Sequence, residues 1–179
     1  MNETSYAGQF LIATPIIALP PFARSVVLLL EHDDSGAIGV IINQPTDLLV
    51  ADHLPDLGIS LSEPAHVFLG GPVSSDTAIV LARGEDLDFL RPSTLGDIGI
   101  VDVDNTSQDF VHARVFAGYS GWDPGQLEAE LEEGAWWPVL AAPDEIFAID
   151  VADMWEKTVE RAPGSIPLYA TYPDDPSEN

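Results

Sequence analysis

Residues 25–45 read SVVLLLEHDDSGAIGVIINQP, in which two apolar, β-branched runs lie on either side of a polar turn. The runs span 25–32 and 37–43, and the tetrapeptide between them, DDSG at 33–36, consists of turn-forming residues. Both runs are apolar at nearly every position, which is typical of strands whose two faces are both covered. The stretch therefore predicts a buried β-hairpin.

Further β-rich runs occur along the chain. They are 9–14, 66–71, 77–83, 98–103, 110–118 and two short segments, AWWPVLAA and EIFAID, near 135–149. Two helical patterns occur outside the stretch 118–137: residues 46–58, after a possible cap at Thr46 or Asp47, and a final helix that begins near Asp150. The apolar face of the final helix comprises Val151, Met154, Trp155 and Val159.

The order of these elements indicates the domain organisation. Strands and short helices follow one another without a linker or an internal repeat, which predicts one α+β domain over residues 1–162. Residues 163–179 are rich in proline and acidic side chains, so this tail is expected to be at least partly disordered.

The stretch GYSGWDPGQLEAELEEGAWW, residues 118–137, carries the start and stop signals of a short helix. Asp123 is a favourable N-cap, Pro124 suits the first helical position, and Gln126 has the spacing of a capping box. Gly134 fits the position just after the helix. The segment therefore predicts a fixed passage from a buried strand into a helix.

A catalytic interpretation of the same stretch centres on Ser120. The nucleophile elbow G-x-S-x-G needs a glycine where Trp122 stands, and Pro124 starts the helix too late for that motif. An activating histidine and an acid would also be required, and nothing in the sequence aims His32 or His112 at the serine. A structural role for the segment is therefore favoured.

The charge balance of the chain is strongly acidic. Its 179 residues include 6 Lys and Arg against 30 Asp and Glu, which gives a net charge of −24. Such a field repels phosphates, so direct binding to nucleic acid or to an anionic membrane is not expected. The sequence has no cysteine, no run of about 18 apolar residues and no signal peptide, which favours a cytoplasmic protein.

The turn of the hairpin gathers Glu31, His32, Asp33 and Asp34. Carboxylates suit hard cations and histidine suits transition metals, so a metal site is one interpretation of this cluster. Neighbouring residues of a strand point to opposite faces, however, and no recognised metal-binding spacing is present. A solvated hairpin with a hydrogen-bonded His32 is favoured, and no metal or cofactor is assigned.

Binding residues are predicted in two loops near the hairpin. Arg24 is expected either to pair with Glu31 or an inner Asp, or to hold an anionic ligand. Asn43 and the pair Gly70-Gly71 are turn residues, and glycines let a ligand approach the backbone, so a groove between these loops is a candidate site. The full set of candidate ligand-binding residues is Arg24, Glu31, His32, Asn43, Gly70, Gly71, Tyr119, Trp122 and Gln126.

Taken in order, several short motifs resemble the YqgE/AlgH family of bacterial proteins. They are GxFLIAxP at 8–15, FxRSV at 22–26, EHxxxGAIG at 31–39, NxP at 43–45, GGP at 70–72 and GYxGWxxGQLE at 118–128. Phe147, Asp153 and Trp155 also match the family pattern. The resemblance covers roughly residues 8–157. It implies an α+β fold in which a branched, mostly antiparallel β-sheet curls into a pseudo-barrel flanked by a few short helices. It implies no reaction, although one branch of the family has been linked to the regulation of alginate synthesis.

These observations predict a cytoplasmic binding or regulatory protein of the YqgE/AlgH type rather than an enzyme. It is expected to act through a protein partner or a small ligand, both unknown, and any link to transcription would pass through protein partners. The alternative, from a different class, is a hydrolase-like or metal-assisted enzyme built on Glu31, His32 and Ser120.

Overall fold

The computed structural model of the chain describes residues 5–54, 61, 65–85, 89–102, 104, 110–171 and 173. Within them, ten strands form one sheet. The strands are β1 (Gln9–Ala13), β2 (Val26–Asp33), β3 (Gly36–Ile41), β4 (Pro45–Leu49), β5 (His66–Leu69), β6 (Val73–Arg83), β7 (Arg91–Pro92), β8 (Ile98–Ile100), β9 (His112–Trp122) and β10 (Trp136–Leu140). The helices are α1 (Val50–His53), α2 (Gln126–Glu132) and α3 (Met154–Glu160), and 3₁₀ turns span Pro143–Phe147 and Ile166–Tyr169.

The sheet is mixed and branched. Its main path runs β10-β1-β2-β3-β9-β6-β8-β7, and β5 leaves this path by pairing with both β9 and β4. The β5–β9 pair is parallel, whereas the main path is antiparallel throughout. The α+β class and the branched, mostly antiparallel sheet are confirmed. The end strands β10 and β7 do not pair with each other within the described residues, so the sheet stays open.

The β2–β3 hairpin predicted from residues 25–45 is confirmed. The two strands are antiparallel, and their register pairs Asp33 with Gly36 at the turn. Side chains of β2 alternate between two cores, with Val26, Leu28 and Leu30 in one and Val27 and Leu29 in the other. The nearly continuous apolar run is therefore explained by burial of both faces.

The helix predicted over 46–58 is wrong for the residues described there. The segment begins with strand β4, and only the single turn α1 follows; residues 55–60 lie outside the described residues. Thr46 explains the difference, because its hydroxyl donates to the carbonyl of Val67 at 2.6 Å and so joins the segment to β5. Pairing with a distant strand thus overrides the local helical spacing.

Helix α2 begins later than predicted. Gly125 has the left-handed φ of +78°, so the helix starts after it, and Asp123 and Pro124 are neither the N-cap nor the first helical residue. One half of the predicted capping box is present, since the N–H of Asp123 donates to Oε1 of Gln126 at 3.0 Å. At the other end the prediction is confirmed, because Gly134 with φ of +77° closes the helix.

The final helix predicted from the sequence is confirmed as α3. Its N-cap is Asp153, whereas Asp150 accepts a hydrogen bond from the N–H of Ala152 at 3.2 Å. The predicted apolar face is buried, namely Val151, Met154, Trp155 and Val159. The preceding segment EIFAID, predicted as a strand, forms none: its first three residues lie in the 3₁₀ turn Pro143–Phe147 and the other three are irregular.

Part of the C-terminal tail packs against the domain. The 3₁₀ turn Ile166–Tyr169 brings the ring of Tyr169 to 5.0 Å from the ring of Trp137, measured between centroids. Residues 172 and 174–179 lie outside the described residues, so disorder there stays a prediction. Among the helices that are described, none has the length and apolar character needed to cross a bilayer.

Candidate functional site

A groove opens between the β2–β3 turn and the junction of β9 with α2, and its volume is about 420 Å³. From the hairpin side it is lined by Glu31, Asp33, Gly36 and Ile38. From the β9–α2 side it is lined by Tyr119, Gly121, Trp122, Asp123 and Gln126, and Val73 of β6 also contributes. The structure therefore brings four of the predicted binding residues, Glu31, Tyr119, Trp122 and Gln126, to one groove.

The strand register forms the floor of this groove. Glu31 pairs with Ile38, and Ile38 pairs with Gly121, so these three residues lie in one row across β2, β3 and β9. Directly paired residues face the same side of a sheet. Gly121 has no side chain, and a Cβ added there would lie 3.4 Å from the ring of Tyr119 and 3.9 Å from Val73. The glycine thus leaves the floor open.

Gly36 fixes the hairpin turn against β9. Its φ is +123°, and a Cβ at this position would lie 2.2 Å from the carbonyl oxygen of Trp122. Only glycine tolerates both the backbone conformation and the close approach. The separation of the two walls at this point is therefore set by backbone contact.

The groove carries negative charge. Glu31, Asp33 and Asp123 contribute carboxylates, and none of its described lining residues is basic. In a chain of net charge −24, such a concave site attracts cations and repels anions. Arg91 of β7 reaches Glu31 from outside, with its Nη1 2.5 Å from Oε1. In the described part of the chain, no group of three or more histidines and acids is arranged to hold a metal ion.

His32 faces away from Glu31, as expected for neighbours on a strand, and only 4% of its side chain is exposed. Its Nδ1 accepts a hydrogen bond from the N–H of Tyr6 at 3.1 Å, so Nε2 carries the proton and donates to Glu128 Oε1 at 2.7 Å. Both ring nitrogens are used inside the protein. The hydrogen-bonded His32 predicted from the sequence is confirmed, and neither nitrogen is left for a metal.

Glu128 lies in the first turn of α2 and has a lowered pKa. The main cause is a hydrogen bond from its own backbone N–H, which favours the ionised carboxylate. Partial burial opposes this effect, and the hydrogen bond from His32 adds to it. This hydrogen bond therefore holds the hairpin against α2 with the carboxylate ionised.

Glu130 joins two tryptophans at the α2 end of the groove. Its Oε2 accepts hydrogen bonds from the indole N–H groups of Trp122 at 2.9 Å and Trp136 at 2.7 Å. Its Oε1 accepts from the side-chain amide of Gln126 at 2.8 Å. Glu130 thus orients two groove residues, and the sequence analysis missed it. The sequence held a signal for this contact, because residues four apart on a helix are neighbours and Glu130 follows Gln126 by four.

The groups of the enzymatic alternative are not assembled into one site. Ser120 is fully buried, and its hydroxyl donates to the carbonyl of Gly70 at 3.1 Å. His32 and Glu31 are held by other partners and face opposite sides of the sheet. Each of the three side chains therefore has its own internal contact.

Arg24 and Asn43 lie away from the groove. Arg24 pairs with Glu156 at 2.7 Å, and its guanidinium lies 4.5 Å from the centre of the Trp155 ring. The predicted internal ion pair exists, but its partner is not Glu31. Asn43 accepts from the N–H of Val26 and donates to the carbonyl of Arg24, both at 2.9 Å, so it fastens the start of β2.

Gly70 and Gly71 pack directly on β9. A Cβ at Gly70 would lie 2.2 Å from the carbonyl oxygen of Gly118, and one at Gly71 would lie 2.2 Å from the carbonyl carbon of Tyr119. The protein's own backbone therefore occupies the close approach that the sequence analysis assigned to a ligand. A ligand-binding role for these two glycines stays a prediction.

A family model described as AlgH-like matches residues 10–167 of the chain. The chain belongs to the AlgH-like family. The match contains both walls of the groove, at 31–38 and 119–126, and the resemblance found in the short motifs is confirmed.

Relatives of similar length agree with membership of the AlgH-like family. The chain is 42% identical to a UPF0301 protein of Streptomyces coelicolor, over 98% of this chain and 96% of the relative. It is 38% identical to a UPF0301 protein of Thermobifida fusca, over 100% of this chain and 98% of the relative. None of these names states a reaction or a ligand.

Two solved structures share the fold. One is a crystal structure of a protein from Corynebacterium diphtheriae, with a TM-score of 0.83, 28% identity and coverage of 96% of this chain and 95% of that chain. The other is the solution structure of the AlgH protein from Pseudomonas aeruginosa, with a TM-score of 0.70, 28% identity and coverage of 97% and 98%. Both solved structures therefore share the overall fold of this chain.

Proposed function

We propose that this AlgH-like chain is a cytoplasmic binding protein that captures a cationic group of a partner in its acidic groove. The observation that supports this most directly is the lining, which combines the carboxylates of Glu31, Asp33 and Asp123 with the aromatic side chain of Tyr119. Carboxylates attract cations by charge, and ring faces attract them through their quadrupole. The lining suits a cation that has one flat or apolar side.

The contacts of the candidate catalytic groups favour binding over a reaction. A nucleophile must reach its substrate and must have a base within hydrogen-bond distance. Ser120 is fully buried with its hydroxyl bound to a carbonyl, and His32 uses both ring nitrogens in internal contacts. The contacts of Ser120 and His32 hold the strands and the helix around the groove together, and neither side chain is placed to react with a substrate.

The cytoplasmic location in this proposal has its own support. The chain contains no cysteine, which is in keeping with a reducing compartment where disulfides are rare. Cell fractionation followed by immunoblotting tests it. Recovery of the protein mainly with periplasmic or membrane fractions would overturn this part of the proposal.

A peptide-binding assay tests the groove. The probe is a fluorescein-labelled octapeptide of alternating arginine and glycine, and fluorescence anisotropy gives its dissociation constant at fixed ionic strength. Asp123→Asn removes one carboxylate from the groove, whereas Gly121→Val places a side chain on its open floor. We expect each change to weaken binding about fivefold or more, which corresponds to about 1 kcal/mol.

A matched control separates the groove from the net charge. Asp47→Asn removes the same charge as Asp123→Asn, at an exposed residue of β4 outside the groove. This control should keep the dissociation constant within about twofold of wild type, since exposed charges are largely screened. Equal effects of Asp47→Asn and Asp123→Asn would show that net charge alone attracts the peptide. Unchanged binding by Gly121→Val would contradict the proposal as well.

A further inference from the structure

The arginines of this chain show which surroundings hold a guanidinium in the protein. Arg24, Arg83 and Arg161 each have a carboxylate partner, respectively Glu156 at 2.7 Å, Asp144 at 2.7 Å and Glu145 at 2.8 Å. Their guanidinium groups also lie over rings, respectively Trp155 at 4.5 Å, Phe147 at 5.6 Å and Phe10 at 5.7 Å. A carboxylate next to an aromatic face is thus the recurring arrangement.

The groove offers the same two kinds of group without an arginine between them. Asp123 is an exposed carboxylate, and the ring of Tyr119 lies beside the open floor at Gly121. A planar guanidinium can lie against a ring while its edge forms two hydrogen bonds to a carboxylate. An ammonium group is compact and strongly hydrated, so it uses such a site less well.

Arg91 already reaches one carboxylate of the groove from outside. Its ion pair with Glu31 is open to solvent, with the two side chains 61% and 44% exposed. The other four arginines each lie over a ring, whereas no ring contact of Arg91 is found among the described residues. An exposed pair of this kind contributes little to stability, so a better placed guanidinium can replace it.

We propose that the group bound in the groove is an arginine side chain of a partner protein, and that Arg91 is its internal competitor for Glu31. This inference rests on the proposed function, because it specifies the ligand of the same groove. While the groove is empty, Arg91 neutralises Glu31. When the partner's arginine lies against Tyr119, Glu31 binds that arginine and Arg91 is released to solvent. Binding of the partner's arginine is therefore coupled to release of Arg91. The two arginines compete for Glu31, so each weakens the binding of the other.

Three peptides test the choice of guanidinium. They are the labelled arginine–glycine octapeptide and two versions in which lysine or citrulline replaces arginine; citrulline keeps the shape of arginine without its charge. Wild-type protein should bind the arginine peptide at least about threefold more tightly than the lysine peptide, because only the guanidinium is planar. Binding of the citrulline peptide should not be measurable. Equal affinities for the arginine and lysine peptides would overturn the assignment.

Removal of the internal competitor tests the role of Arg91. Arg91→Ala should tighten binding of the arginine peptide about threefold to tenfold, because an exposed ion pair no longer has to be broken. The control Lys157→Ala removes one exposed positive charge on α3 and should change the dissociation constant less than about twofold. In the double variant Glu31→Gln/Arg91→Ala the gain should disappear. Arg91→Gln takes the place of Arg91→Ala if the latter is unstable.

The two proposals fail in different ways in this experiment. If Gly121→Val binds the arginine peptide as tightly as wild type, the groove is not the site and the proposed function is wrong. If Gly121→Val weakens binding but Arg91→Ala and Lys157→Ala have equal effects, the groove binds its ligand and only the role of Arg91 is wrong.

Discussion

Among single residues, Arg114 of β9 shows how this acidic protein holds a charge in its interior. The residue is 2% exposed, and its two terminal nitrogens donate to the carbonyls of Ile146 and Ala148, both at 2.7 Å. Its guanidinium lies 4.2 Å from the centre of the Phe68 ring. Burial lowers the pKa of Arg114 to about 10, so the side chain is still charged at neutral pH. These contacts fasten the 3₁₀ turn Pro143–Phe147 to the sheet.

Arg114→Met tests the importance of these contacts. The methionine fills much of the same space but leaves one buried and one partly buried carbonyl without donors, so the free energy of unfolding should fall by about 2–4 kcal/mol. Urea denaturation followed by tryptophan fluorescence measures this change. Arg91→Met, at an exposed arginine, is the control and should stay within about 0.5 kcal/mol of wild type. A loss at Arg114 no larger than that of the control would contradict a structural role.

Single-residue contacts could be predicted only where the chain itself fixes the direction of a side chain. The internal bonding of His32 followed from strand alternation, since Glu31 and His32 cannot face the same side. Arg114 gave no such signal, because its carbonyl partners lie 32 and 34 residues further along the chain. The groove was equally hidden, since Glu31 and Gly121 meet only through the register of three strands.

Among the elements, helix α2 carries acidic residues at both ends, and the helix dipole favours them at one end only. Glu128 lies in the first turn, where negative charge is favourable, and its carboxylate also accepts the hydrogen bond of His32. Glu132 and Glu133 lie at the other end, where negative charge is unfavourable. The helix is therefore held at its start by charge and at its end by the left-handed Gly134.

Glu128→Gln tests this arrangement through its pH dependence. The pKa of Glu128 is lower in the folded protein than the value of about 4.3 expected for the unfolded chain. Its ionised form therefore stabilises the fold above that unfolded value, and the contribution is lost as the pH falls through the folded pKa. The variant should be less stable than wild type at pH 7, and the difference should shrink in acid.

Urea denaturation between about pH 3 and 7 measures the effect of Glu128→Gln across the range in which carboxylates titrate. Glu133→Gln is the control at the opposite end of α2, and at pH 7 it should be neutral or slightly stabilising. If wild type and Glu128→Gln lose stability in parallel down to the lowest pH, Glu128 has no special role in holding α2.

Elements could be predicted where a local pattern agrees with the tertiary contacts. The apolar runs of β2 and β3 and the apolar face of α3 are examples, because burial alone explains them. Residues 46–58 show the opposite case, since the contact between Thr46 and Val67 turns a helical spacing into a strand. The segment PVSSD at 72–76 has the composition of a turn, yet all but its proline belongs to β6, where Val73 pairs with Tyr119.

For the whole molecule, the net charge of −24 is the feature most readily changed by solution conditions. Repulsion among so many carboxylates destabilises a compact chain and is weakened by salt. Raising NaCl from about 20 mM to about 500 mM shortens the screening length several-fold and should raise the melting temperature by a few degrees. Differential scanning calorimetry measures this shift. A fall in melting temperature over the same range would show that attractive ion pairs outweigh the repulsion.

The architecture of the whole molecule was accessible only through family resemblance. Periodicity predicts individual strands, but the branch at which β5 joins β9 in parallel depends on contacts that no local pattern encodes. The likeness to the Corynebacterium diphtheriae structure, with a TM-score of 0.83, shows that this branched sheet is shared. The acidic groove follows from that sheet, because β2, β3 and β9 meet there in a single row.

The central claim is that the groove between the β2–β3 turn and the β9–α2 junction binds a cation, and NMR tests it most directly. Amide shifts of ¹⁵N-labelled protein are followed while the arginine–glycine octapeptide is added at fixed ionic strength. The largest shifts should fall on Gly36, Ala37, Ile38, Gly121 and Asp123, which line the groove. Shifts spread evenly over acidic residues elsewhere, with these five amides unmoved, would contradict the claim.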